Sequence, residues 1–186
     1  ATTVLVFHPR LTASSRVNAR LARAAREAAT PGHSVEVRDM YALYPDFRVD
    51  VAAEQAVLAA ADRIVLQFPM YWYSTPPLLK QWEDDVLTHG WAYGSTGTAL
   101  HGKELLLAVS VGGAGSAYGR EGAHIYTIHE FLRPMQGTSR VIGTKYAVPF
   151  LSVGALEITD EAIARRAQDY AAVLQTPELP LLDIFG

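Results

Sequence analysis

Short apolar runs alternate along this chain with longer stretches of helical spacing. Val4-Leu5-Val6-Phe7, closed by His8-Pro9, has the pattern of a buried strand. From about Val17 to Ala28 the apolar positions take helical periodicity among alanines and arginines, until Pro31-Gly32 breaks it. Ser34 to Arg38 alternates polar and apolar and predicts a second strand nearer an edge. Tyr41 to Phe47 reads as a loop turning at Tyr44-Pro45-Asp46, and Val51 to Ala61 as a helix capped by Asp50. Arg63 to Phe68 predicts the third strand. Leu78 to Leu87 predicts a helix entered through Pro76-Pro77, where proline is tolerated in the first turn. After a glycine-rich segment, Gly90 to Gly102, a fourth strand spans Glu104 to Val111 and stops at Gly112-Gly113. Ile125 to Met135 then reads as a helix, Thr144 to Val153 as a last strand interrupted by Pro149, and Asp160 to Leu174 as a closing helix capped by Thr159.

Strands alternating with helices predict a parallel sheet covered on both faces, joined by right-handed crossovers. Five strands of this kind predict an α/β doubly wound, flavodoxin-like domain of strand order 2-1-3-4-5. The reading is one domain over residues 1–186, with 176–186 as an extended tail carrying Pro177 and Pro180.

Composition narrows the chemistry. Hydrophobic residues make up 49% and charged residues 19% of 186, which is globular. A net charge of −3 offers no electrostatic case for nucleic acid or a membrane surface. Arg16, Arg20, Arg23 and Arg26 fall at helical spacing and read as a solvated face. Cysteine is absent, which removes disulfides, thiolate catalysis and cysteine-ligated metal; no metal site is expected. Redox chemistry would therefore need a bound cofactor to carry electrons. Ala1-Thr2-Thr3 leads straight into a strand, and no apolar run reaches the length of a bilayer, so a cytoplasmic protein is expected.

In a doubly wound sheet the loops after strands one, three and four meet at the carboxyl edge. The first, His8 to Asn18, is rich in hydroxyls, holds Arg10 and Arg16, and opens a helix whose free N–H groups suit a phosphate. Neither a Walker sequence nor G-x-G-x-x-G is present. The second, Gln67 to Pro77, crowds Tyr71, Trp72 and Tyr73 among prolines and suits a flat aromatic ligand. The third, Ser110 to Tyr118, uses Gly112 and Gly113 to let backbone approach a ligand, with Tyr118 and His124 as donors at the same mouth. Helix start, aromatic wall and glycine cradle together describe a flavin mononucleotide (FMN) site.

Asp39 to Phe47, Gln67 to Ser74, Gly90 to Gly94 and Gly97 to Lys103 resemble the flavodoxin-like NAD(P)H:quinone oxidoreductases. The nearest resemblance is to the ancillary subunits of bacterial glutathione-regulated potassium-efflux systems. The resemblance implies flavin contacts at His8, Ser15, Arg16, Val17, Asn18, Pro69, Met70, Tyr71, Trp72, Tyr73, Ser110, Val111, Gly112, Gly113 and Tyr118. It implies that Tyr118 and His124 stabilise charge on the reduced flavin and relay a proton. Tyr71 stands where relatives commonly carry glutamine, and Val111 replaces a usual threonine. The implied activity is ping-pong hydride transfer from NAD(P)H through FMN to a quinone, with FAD the alternative cofactor. The implied assembly is a homodimer, with Asp46, Phe47, Trp91 and Tyr93 as a wall of the partner's site. The alternative function is that of a regulatory subunit docked on a potassium-efflux transporter.

Overall fold

The apolar runs become the inner strands of a sheet because helices cover both of their faces. The protein is described by a computed structural model over residues 1–182. In it β1 (Thr2–Val6) and β3 (Arg63–Pro69) are buried along their whole length, and β4 (Glu104–Val111) at all but its first residue. The expected order is observed, all parallel: β2 (Val35–Asp39) at one edge, then β1, β3, β4 and β5 (Lys145–Tyr146). β6 (Phe150–Val153) pairs with the later part of β4. The single last strand expected over Thr144 to Val153 is thus two strands. Leu105 pairs Tyr146 and Ala108 pairs Phe150, so three steps on β4 oppose four on the other side. The extra residue is a bulge, placed where Pro149 has no N–H to give the ladder.

Side chains alternate across the pleat. Val4, Val6, Val65, Leu106 and Ala108 face α2 (Val17–Glu27) and α8 (Asp160–Gln175). Leu5, Phe7, Ile64, Leu66, Leu105 and Leu107 lie in the opposite core with α4 (Val51–Ala60), α5 (Pro77–Val86) and α7 (Arg133–Val141). The expected caps are present: Ala53 N donates to Asp50 Oδ1 at 3.0 Å, and Ala162 N to Thr159 Oγ1 at 3.2 Å.

Three local readings change. Tyr41 to Phe47 is not all loop: it shares one helical turn, α3 (Met40–Leu43), started by Asp39 accepting from Ala42 N. A similar turn, α1 (Leu11–Ser14), lies in the loop after β1. The helix expected over Ile125 to Met135 begins later and divides. Ile125 is left-handed at φ 64°, and α6 (Ile128–Phe131) starts at a Thr127/Glu130 capping box. α7 then restarts at Arg133-Pro134, where the proline removes a backbone donor and fits a first turn.

Residues 176–182 are fastened to the sheet. Arg63, 4% exposed, donates to the carbonyls of Leu174 at 2.7 Å and Thr176 at 2.8 Å while pairing with Glu104. Glu104 in turn accepts from Leu179 N at 2.8 Å. Val148 N donates to Pro180 O and Leu182 N to Tyr146 O, laying residues 179–182 along the outer side of β5. Residues 183–186 of the expected tail lie outside the described residues.

Glu83 on α5 sits against the apolar side of the sheet, and burial pushes its carboxyl from the ordinary 4.5 up to about 7. Between those values the folded chain holds a proton that the unfolded chain has released, so stability falls as pH rises through that window. Glu83→Gln is therefore expected to be more stable than the parent by about 1–2 kcal/mol near pH 8, with the gap closing near pH 5. Urea midpoints at both pH values measure it; an equal difference at both would remove the titration argument.

Candidate functional site

Four loops meet at the carboxyl edge of the sheet around a cleft of about 400 Å³. Three are those expected, after β1, β3 and β4. The fourth follows β6 and contributes Ala155 and Leu156. It is tied to the third by Gly154 N donating to Gly113 O at 2.9 Å and Ala155 N to Val111 O at 2.9 Å. Its cleft-lining residues are both apolar and give no chemical signal of a site in the sequence.

At the first loop, His8 lines the cleft, and its Nδ1 accepts from Arg10 N at 3.1 Å. Burial first, and the Arg10 charge second, lower the His8 imidazole below its ordinary value. A neutral ring accepting at Nδ1 carries its hydrogen on Nε2 and is a donor. Arg10 itself is exposed and outside the lining; its backbone, rather than its guanidinium, serves the site. α2 begins without a side-chain cap, so its first-turn N–H groups open toward Ser14, Ser15 and Arg16 at the cleft. Arg16 is held by Asp160 at the start of α8, 2.7 Å away.

Beneath the cleft lies a buried polar chain that the sequence only half disclosed. Asn18 Nδ2 donates to Ser110 Oγ at 2.8 Å, and Gln67 Nε2 donates to Asn18 O at 2.8 Å. Asn18 therefore supports the floor with its amide. Ser110, having accepted one bond, keeps its own hydrogen to give. Gln67 is fully buried, and its Oε1 has no partner among the described residues. Its signal was a polar residue inside an otherwise apolar strand.

The aromatic loop splits in two. Pro69, Met70 and Tyr71 line the cleft. Trp72 and Tyr73 sit on the far side of a tight turn, closed by Tyr71 N to Ser74 O and Ser74 N to Tyr71 O, each 3.0 Å. Both central residues are left-handed, at φ 46° and 63°. That is the backbone of a turn normally made by Asn-Gly, and no propensity in Trp-Tyr announces it. Trp72 is 92% exposed. Tyr73 stacks on Phe131 at 4.7 Å between ring centroids and meets His124 Nδ1 at 3.1 Å.

The glycines also lie close to side chains from other segments. A Cβ on Gly112 would come within 3.1 Å of Leu156, which is 81% exposed and leans over it. A Cβ on Gly113 would stand 3.4 Å from both His124 Nε2 and Tyr118 Oη. The two donors thus converge on the space above Gly113, their rings 4.7 Å apart. Burial, and then the neighbouring Tyr73, raise the Tyr118 hydroxyl above its ordinary value, so it stays protonated. Val111 is in the core, and only its carbonyl serves the loops.

The four wall residues do not line this cleft. Phe47, left-handed at φ 63°, packs edge-on against Tyr41, and Asp46 accepts from Arg48 N. Trp91 packs on the core. Tyr93 faces a second cleft of about 470 Å³ beside Ser74, Thr75 and Phe131.

The first cleft fits an elongated anionic aromatic molecule. An uncapped helix start with two serines suits a phosphate. His8, Ser110 and the glycine-loop backbone offer polar contacts, and Met70, Tyr71 and Leu156 offer apolar surface. Among the described residues no cluster of His, Asp or Glu could hold a metal ion, and no helix is long and apolar enough to cross a membrane.

A family model described as a flavodoxin-like fold matches residues 1–174. A glutathione-regulated potassium-efflux system ancillary protein KefF from Salmonella schwarzengrund is 49% identical over 143 residues, 77% of this chain and 80% of that protein. The crystal structure of general stress protein 14 from Treponema denticola in complex with FMN superposes with a TM-score of 0.86. It is 40% identical and covers 93% of this chain and 97% of its own. An NADPH-quinone reductase from P. pentosaceus superposes with a TM-score of 0.81 at 32% identity, covering 95% of this chain and 99% of its own.

Proposed function

The chain belongs to the flavodoxin-like family that spans its residues 1–174, and on that premise we propose that it is an FMN-dependent NAD(P)H:quinone oxidoreductase. One observation carries the reading: the uncapped start of α2 and the Tyr118–His124 pair above Gly113 open onto one edge, joined by the glycine loop. The FMN complex and the NADPH-quinone reductase among its relatives support the cofactor and the reaction class. FAD is the alternative cofactor, since the same loops would receive its ring.

When bound, FMN supplies a two-electron centre that takes hydride from NAD(P)H and gives it to the acceptor. The chain supplies the rest. The first-turn N–H groups of α2, Ser14 and Ser15 would hold the phosphate, and Arg16 would add charge beside it. His8 Nε2–H, the Ser110 hydroxyl and the backbone of Pro69 to Tyr71 and Gly112-Gly113 would orient the ring. Tyr118 Oη and His124 Nε2 would offset negative charge developing on the reduced cofactor, and His124 would hold a proton at Nε2. A ping-pong order would result if NAD(P)H and the quinone took turns at one shared position in the cleft.

Phe47, Trp91 and Tyr93 stand apart from the cleft of their own chain, and Asp46 beside them is exposed; this fits a homodimer in which each chain walls the other's site. The relation to KefF supports a second reading, a cytoplasmic ancillary role on a potassium-efflux transporter, testable by co-purification with that transporter.

The purified protein is expected to be yellow, to release FMN on heating, and to reduce menadione with NADPH, giving parallel initial-rate lines. Mass and absorbance of the released cofactor decide the first part. A colourless protein that does not take up FMN would end the reading, and intersecting lines would end the ping-pong order.

A further inference from the structure

We propose that Tyr73 is a positioning residue for the reaction: its hydroxyl holds His124 so that Nε2 faces the cleft rim throughout the cycle. The role rests on the quinone reductase reading above. Tyr73 Oη lies 3.1 Å from His124 Nδ1, and the two rings meet edge to face with centroids 5.5 Å apart. With Nδ1 engaged, the ring presents its other nitrogen to the space above Gly113 that it shares with Tyr118 Oη.

A phenol suits this place better than any fixed donor or acceptor. Its hydroxyl donates to Nδ1 when that nitrogen is bare and accepts from it when it carries hydrogen. The bond therefore survives the gain or loss of a proton at Nε2, and the imidazole need not turn over between steps. The phenol is itself immobilised. It stacks on Phe131 at an interplanar angle of 26°, and it leaves a turn whose two central residues are both left-handed. Bulky residues are disfavoured in that region, so the surrounding packing must impose the conformation. The strain aims Tyr73 away from the cleft lined by Tyr71 and toward His124.

Tyr73→Phe keeps the stack on Phe131 and deletes only the hydroxyl. In the apo protein, nitrogen NMR of His124 is expected to move the Nδ1 resonance to that of an unbonded imidazole nitrogen. In the FMN-loaded enzyme, kcat for menadione is expected to fall about 10-fold, the lower part of what a misplaced proton-transfer group costs, with the KM for NADPH within about 2-fold. Placed on a His124→Gln background, the same change is expected to cost less than about 2-fold, because the two residues act as one unit. An unmoved Nδ1 resonance, or an equal loss in both backgrounds, overturns the proposal. An enzyme inert toward NADPH and quinone would instead overturn the assigned reaction, while the resonance would still report the bond.

Discussion

Glu54→Ala is expected to lower the free energy of unfolding by about 3–5 kcal/mol, the range for removing one partner of a buried ion pair. Glu54 is fully buried on α4 and gathers three donors from three other elements. Arg38 Nη2 of β2 reaches Oε1 at 2.6 Å, Tyr44 Oη beyond α3 reaches the same oxygen at 2.7 Å, and Trp82 Nε1 of α5 reaches Oε2 at 3.0 Å. Truncation strands all three, in a place where water does not replace the lost acceptor. Arg38 has a second partner, exposed Glu36 at 3.1 Å, which does not compensate for the buried side of its guanidinium. Burial, with Glu54 next, pushes the Tyr44 hydroxyl up to about 12, so it donates at any ordinary pH. Glu54→Gln keeps the volume and one acceptor oxygen, enough for Arg38 and Tyr44 but setting an amide donor against Trp82 Nε1, and is expected to lose less than alanine. Urea unfolding with unchanged m-value measures both; a loss under about 1 kcal/mol for alanine would show that the carboxylate is dispensable. The effect reaches the surface of the molecule, since Phe47 N donates to Tyr44 O and Asp46 and Phe47 belong to that turn.

His124→Ala is expected to lower kcat for menadione about 100-fold while FMN stays bound, because general acid–base groups contribute about that much. The loop proposed to hold the phosphate and the floor formed by Asn18, Gln67 and Ser110 do not include His124. Loss of the imidazole leaves Tyr118 Oη without its companion above Gly113 and removes the proposed proton carrier. Steady-state rates at saturating NADPH, with flavin absorbance as the control, decide it. Turnover within about 2-fold of the parent would take His124 out of the chemistry.

Much of this was legible in the residues. Buried parallel strands need apolar side chains on both faces, so Val4 to Phe7, Arg63 to Phe68 and Glu104 to Val111 stood out, and topology alone sends their following loops to one edge. Asp50 and Thr159 marked helix starts because their oxygens meet a local chemical need. What stayed hidden depends on distant partners. The extra residue before Phe150 shows only against β4. Gly112 is approached by Leu156, some forty residues on by its number. The left-handed pair Trp72-Tyr73 contradicts local preference and is imposed by tertiary packing, as functional loops often are. Thr127-x-x-Glu130 was a readable helix start, obscured by the apolar Ile125-Tyr126 before it and by Pro134 after it.

The two margins of the sheet differ in how they resist growth. On one side, β2 sets Glu36 and Arg38 along an otherwise bare backbone, and charges of that kind discourage another molecule's strand from zipping on. On the other, Val148 N already donates to Pro180 O and Tyr146 O already accepts from Leu182 N, so the ladder is terminated from within the chain. Copies of this protein are thereby steered away from joining sheet to sheet.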